Sequence, residues 1–430
     1  MKSLTTVALA LVVALLLAAS ASAAPWSQYR NDPAGDGQSI EVGSRTGTFA
    51  PGFPINLPPR NAGLSYLQAG AVVVASNGIA VVADGFTVSA YSPAGQQLWS
   101  KNLSGTTQGL DFVSTPALSA SGSTIYVVLV GQDPGGNADP GTLFALSTAT
   151  GGTRWSTPVG VSNAEQWVSV DASNNVYLVT TTGNGGDVLL SSQVQAFTSA
   201  GTALWTTAVP GFGPSGVILD GNGNAYYAGA GTGQTSPSVT SIATAGGTVN
   251  WTTTIAPAAA QAGIGGPPVL STADGALYVS TGINGAGVSA ISLATGADLG
   301  QAATTPISGP LTFMSGLNLV GASASNTIVA QSPYGSTSPN WVRGGPPMVD
   351  TSGYGYPAAA IDANDNVFAA TPGYVLSANG SGGSTNWIYR ASGYTFGSPA
   401  IGPNGSVYVV MKASQTGKTQ LLAFAPFVRG

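Results

Sequence analysis

Apolar and polar positions along the chain alternate with a period of two, in short runs that end in Gly, Pro, Asn, Asp or Ser, and the helical period is absent after the first 23 residues. One two-part phrase recurs. Its first part is a short apolar strand, a polar turn and an alternating strand ending in an aromatic–Val pair or similar, as in 114–130, 168–180, 216–229, 267–282, 358–370 and 398–411. Its second part is a strand, a Gly turn and a strand bearing Trp, as in 88–103, 143–159, 194–209 and 239–255. Each part reads as a β-hairpin, and two in series give four antiparallel strands.

Trp99, Trp155, Trp205, Trp251, Trp341 and Trp387 mark the fourth strand at intervals of roughly 50 residues, skipping one unit in which Gly300 stands where Trp is expected. That spacing belongs to propeller blades. First hairpins starting near Ala71, Ser114, Val168, Gly216, Pro267, Pro310, Ala358 and Ser398 predict an all-β, eight-bladed propeller. The last unit ends with its third strand, at 421–427, and an open edge invites aggregation. The stretch 49–59 has the length and apolar content of one outer strand and is predicted to supply the missing fourth, closing the ring.

Lys2 followed by the apolar run Ala8–Ala19 and by Ala21-Ser22-Ala23 reads as a signal peptide over 1–23, leaving one propeller domain over 24–430 and a secreted, extracellular or periplasmic protein. No later segment is long enough to span a membrane. With 6% charged residues, the surface must be covered by hydroxyl, amide and glycine groups. Eleven Lys plus Arg against sixteen Asp plus Glu, with no basic cluster, argue against nucleic acid as a partner. The absence of Cys and His removes disulfides, thiolate nucleophiles, the commonest metal ligands and the usual general base. Almost nothing titrates near neutrality, so stability is expected to be flat between about pH 5 and 9 unless burial shifts a group strongly.

The segment Ala145–Trp155, ALSTATGGTRW, resembles the blade motif A-x-D-x-x-T-G-x-x-x-W of the pyrroloquinoline-quinone-like repeat propellers, the superfamily of quinoprotein dehydrogenases and of the outer-membrane assembly propeller. Ser147 replaces the Asp. Ala290–Gly300 matches apart from Ser292 and Gly300, and Trp26–Gly37 resembles the family's opening segment. The resemblance implies Trp residues that pack between blades. For activity it implies either an enzyme or a scaffold, because the repeat serves both.

Asp362–Asn366, Asp171–Asn175 and Asp220–Asn224 have Asp-x-Asn-like spacing, but a calcium loop needs further oxygen ligands, and all three run straight into a strand. Turn capping explains them. A quinone enzyme of the resembling family implies a vicinal Cys pair, absent here, and an acid-rich calcium site. A carboxylate-pair hydrolase needs two facing acids, for which Asp111, Glu165 and Asp350 are candidates. Links between blades surround one mouth of a propeller's channel, and here they carry Asp111, Phe112, Glu165, Trp167, Phe212, Asp350, Tyr354, Tyr356, Tyr394 and Phe396. Aromatics beside amides and hydroxyls suit sugar or peptide. The sequence therefore points to a monomeric, non-catalytic binding or scaffold module for a protein or glycan partner, with no cofactor, metal or catalytic residue assigned. The alternative is a quinoprotein-like oxidoreductase or an Asp-dependent hydrolase.

Overall fold

The computed structural model describes residues 26–426 apart from 59–69, 105–111, 133–137, 162–166, 183–190, 212–215, 232–234, 256–263, 265, 282–286, 304–306, 308, 316–317, 324–326, 334–337, 345–356 and 415. The signal peptide expected over 1–23 lies outside the described residues. Eight four-stranded antiparallel blades follow one another along the chain. Blade 1 is Ala71–Val74, Ala80–Asp84, Thr87–Tyr91 and Gln97–Asn102, paired in sequence order. Its three inner strands are buried almost throughout, whereas the outer strand alternates exposed and half-buried positions. Sandwiching between neighbouring blades explains the shortage of charge, since a strand covered on both faces tolerates Ala, Val, Gly and Ser but not ions. No helix among the described residues is long and apolar enough to cross a membrane.

Closure follows the sequence expectation. The last blade consists of Ala400–Ile401, Val407–Ala413 and Thr419–Phe424, and its fourth strand is Ile55–Asn56, registered as Ile55 opposite Leu421 and Asn56 opposite Gln420. Pairing extends beyond that strand, with the Ala50 amide donating to Ala423 O, Leu57 to Thr419 O and Ala425 to Thr48 O.

The tryptophans join blade to blade. Each indole Nε1 donates to a backbone carbonyl in the next outer turn: Trp99 to Thr148, Trp155 to Ser199, Trp205 to Thr244, Trp251 to Leu293 and Trp341 to Gly380. Every ring also covers a turn glycine with positive φ. A Cβ added at Gly151, Gly201, Gly247, Gly296 or Gly383 would lie 2.5–2.7 Å from the indole of Trp99, Trp155, Trp205, Trp251 or Trp341, respectively. Blade 8 has no covalent outer turn, and the N-terminal segment imitates one. Trp387 donates to Ser44 O and lies over Gly47, whose Thr46-Gly47 sequence repeats the Thr150-Gly151 of blade 2. At the seam with blade 1, Gly52 meets the Ala94–Gly95 turn backbone to backbone, with φ of 85° and 81° at the two glycines.

Candidate functional site

From Trp26 to Gly37 the chain crosses one mouth of the central channel and bonds to the blades in turn. Inner-strand amides that have no sheet partner on that side donate to it: Val74 of blade 1 to Trp26 O, Leu118 of blade 2 to Ser27 O, and Leu219 of blade 4 to Pro33 O. Phe313 of blade 6 donates to Asp36 O and Ile361 of blade 7 to Gly37 O. Val170 of blade 3 donates to the Gln28 side chain. Buried amides must find acceptors, so the segment is a plug that satisfies the channel-facing edge of each of these strands. Four left-handed residues, Arg30, Asn31, Gly35 and Gly37, with φ of 54°, 76°, 63° and 73°, coil it into the mouth. Two of these are not glycine, and such positions persist only where the surroundings enforce them.

Arg30 is the hub. It is 2% exposed; Nη1 donates to Leu311 O at 2.5 Å and Nη2 to Pro268 O at 2.6 Å, which ties blades 6 and 5 to the plug. Nε has no acceptor. The Arg30 carbonyl accepts the amides of Asp32 and Gly37, so the loop carrying Asp32 and Asp36 begins and ends on this one residue. Burial lowers the guanidinium pKa to about 10, against the favourable influence of Tyr29, Asp36 and Asp32. Burial likewise raises the Asp32 carboxyl, although the amide of Gly35 bonds to it. Asp36 is only half-buried by exposure but is surrounded by protein; desolvation first, and the neighbouring Asp32 second, push it up to about 7. Two carboxyls beside one buried cation hold one proton between them most readily, because that state is neutral.

Beside this cluster Tyr29 stacks on Trp167, with ring centroids 4.6 Å apart and planes inclined by 25°, and the Arg30 Cζ lies 5.6 Å from the Tyr29 centroid. Among the sequence-selected residues that are described, Trp167 meets the site, and it is 5% exposed. Tyr394 and Phe396 form an extra strand on blade 8, opposite Ala413 and Met411, and Phe396 is buried edge-on against Tyr389 in the core. Asp111, Glu165, Phe212, Asp350, Tyr354 and Tyr356, and the side chain of Phe112, lie outside the described residues. Sequence reasoning missed Tyr29, Arg30, Asp32 and Asp36. The available signal was density: one cation and two acids within seven residues of a chain that is 6% charged.

The Asp-containing turns cap themselves. Asp171 accepts the Asn175 amide, the Asn175 Nδ2 and the Tyr177 hydroxyl, and Asp220 repeats the set with Asn224 and Tyr226. Asp362 accepts the amides of Asn364 and Asn366 and also that of Gly43 in the N-terminal segment.

A family model described as outer membrane protein assembly factor BamB matches residues 84–338. The chain belongs to this family. Solved structures share the architecture over nearly its whole length. The quinohemoprotein alcohol dehydrogenase of Comamonas testosteroni is similar with a TM-score of 0.66 at 13% identity, covering 96% of this chain and 82% of its own. A quinohemoprotein alcohol dehydrogenase of Pseudomonas putida HK5 gives 0.63 at 14%, covering 94% and 81%. A europium-containing methanol dehydrogenase gives 0.63 at 12%, covering 94% and 98%. No curated protein matches the chain. These likenesses correct the expectation of a non-catalytic binding or scaffold module, since the neighbours that share its ring are dehydrogenases and favour the oxidoreductase alternative. The physical reason the sequence misled is that its acids were sought on the inter-blade links, while two carboxyls whose pKa values burial raises, Asp32 and Asp36, sit in the N-terminal plug.

Proposed function

We propose that the protein is an oxidoreductase-like enzyme acting on a hydroxyl-bearing small molecule, with Asp36 as the base that takes the hydroxyl proton. The observation that carries the reading is the carboxyl of Asp36, half-open to solvent beside Asp32 and Arg30 and raised to about 7. A base poised near the working pH is partly ionised yet strong enough to accept such a proton. The neighbouring dehydrogenases imply a quinone and a metal, and the described residues do not fit them. No group of three or more acids that could hold a metal ion occurs among them, the turn carboxylates are taken by their own turns, and both terminal nitrogens of Arg30 are bound to carbonyls. No step is therefore routed through either group, and the electrons are assigned to an acceptor supplied from outside.

The test is dye-linked oxidation of a panel of alcohols and sugars by the mature protein, with and without added quinone and calcium. Asp36→Asn should lower the rate by about 10²-fold or more, the usual contribution of a positioned base. An unchanged rate in that variant, or no substrate-dependent dye reduction by the parent, refutes the reading. The mutual influence of Asp32 and Asp36 favours a second one, hydrolysis by a carboxylate pair, which chromogenic glycosides would detect with the same variants. Secretion belongs to this proposal, and sequencing the exported protein should find Ala24 first.

A further inference from the structure

We infer that Arg30 is the positioning residue of the channel acids, holding the loop Asp32–Gly37 in the shape that keeps Asp36 beside Asp32. The inference rests on the enzyme reading given above, and its grounds are geometric. The loop is folded around Arg30 at both levels of its structure. The backbone carbonyl accepts the amides of Asp32 at 3.0 Å and Gly37 at 3.1 Å, closing the loop on itself. The guanidinium lies against the inside of the same loop, so that a Cβ at Gly35 would come within 2.8 Å of Nη2. The far end of the side chain is fixed by carbonyls of two different blades, Leu311 and Pro268. The fork geometry of a guanidinium can reach two carbonyls at once, whereas an ammonium offers a single point of charge.

The side chain and backbone of Arg30 are therefore set by the ring, and they in turn set the acids. Among the described residues, Arg30 and Asp32 are the charged groups acting on Asp36; the inner-strand residues packed around this loop on blades 6 and 7, Thr312, Phe313 and Ile361, carry no charge. A left-handed Arg followed by a left-handed Asn is the conformational cost of that arrangement.

The experiment follows melting temperature and, where the substrate panel yields a rate, activity from pH 4 to 9. The proteins compared are the parent, Arg30→Met, Arg30→Lys, Gly35→Ala and Asp36→Asn. Arg30→Met should move the midpoint of the pH-dependent limb upward by about half a unit or more, as expected when an opposite charge is withdrawn from a carboxyl. Arg30→Lys should restore only part of the shift, since an ammonium returns the charge but cannot bridge the two carbonyls. If Arg30→Met does not fold, Gly35→Ala serves instead, because it displaces the guanidinium with its charge intact and should move the limb in the same direction. A limb unmoved in Arg30→Met, or in Gly35→Ala where that variant stands in, overturns the positioning role. Failure of the enzyme reading looks different: Asp36→Asn would then remove the stability limb and leave the rate untouched.

Discussion

The indole-on-glycine junctions allow backbone strain and steric clash to be separated. Gly201 and Gly221 have similar left-handed backbones, with φ of 83° and 71°. An alanine at Gly221 would find nothing within 4 Å, whereas at Gly201 its Cβ would lie 2.7 Å from the Trp155 ring. Gly221→Ala therefore measures strain alone, about 1–2 kcal/mol for an L-residue held left-handed. Gly201→Ala adds a contact well inside van der Waals distance. Because the ring is also tethered through Nε1 to Ser199 O, relief means lifting the indole and stretching that bond. Overpacking of this kind costs about 1–3 kcal/mol, so Gly201→Ala should lose about 2–5 kcal/mol in all. Removing the obstacle should recover the excess: in a double-mutant cycle with Trp155→Ala, the pair should be less destabilised than the sum of the singles by about 1 kcal/mol or more. Urea denaturation at fixed pH is the assay. Equal losses for Gly201→Ala and Gly221→Ala, or strict additivity in the cycle, would refute the docking argument. Gly47→Ala should behave like Gly201→Ala, although Trp387, its partner, is 340 residues away in sequence (387 − 47).

Three further outcomes are expected. Trp387→Ala, removing a ring that is 7% exposed, should cost about 3–5 kcal/mol, and Trp26→Ala, at 3% exposure, should rank with it rather than below the half-buried Trp155; a negligible loss at Trp26 in the same denaturation series would contradict its place in the core. Deleting 49–57 should leave Thr419–Phe424 with an unpaired edge, seen as aggregation or a collapse of the melting temperature, and a truncated protein as soluble as the parent would sink the closure assignment. Stability should fall with rising pH: an acid whose folded pKa is raised from 3.8 to about 7 keeps its proton better when folded, so its contribution is complete below about pH 4, declines toward pH 7 and is constant above. After allowance for the partial exposure of Asp36, the decline should be about 1–3 kcal/mol, and Asp36→Asn should flatten it.

That last expectation replaces the flat profile argued from composition, and the replacement shows where sequence reasoning stops. Blade number and the Trp junctions were legible because each repeats, and the closing strand because the last copy lacks what the others have; a repeat exposes its own rule through its copies. The exception was legible too: Gly300 in the Trp place has open space around it, with no atom within 4 Å of an added Cβ. The plug has no copies. Tyr29, Arg30, Asp32 and Asp36 become a site only because a segment without periodicity meets the inner strands of many blades, and those contacts are set by ring geometry rather than by spacing along the chain. Trp26 belongs with the plug in this respect: it lies outside the repeat and is nevertheless buried in the core. The Thr46-Gly47 imitation of a blade turn is visible in the sequence as a match to Thr150-Gly151, although it stands alone outside any complete repeat.

The dependence of blade 8 on residues near the start of the chain has a consequence for the order of assembly. During synthesis the stretch 26–57 emerges before any blade, yet the strand it completes, Thr419–Phe424, emerges after the other seven blades. Blades whose four strands are contiguous can form as they appear, each a local, low-separation event. This early segment has no partner for its closing strand until the other blades exist. The entropy of closing so long a loop grows only logarithmically, so thermodynamics tolerates the arrangement while kinetics bears the delay. Ring closure is thus the late, committing step of folding, and an interrupted chain would keep both of its sticky ends.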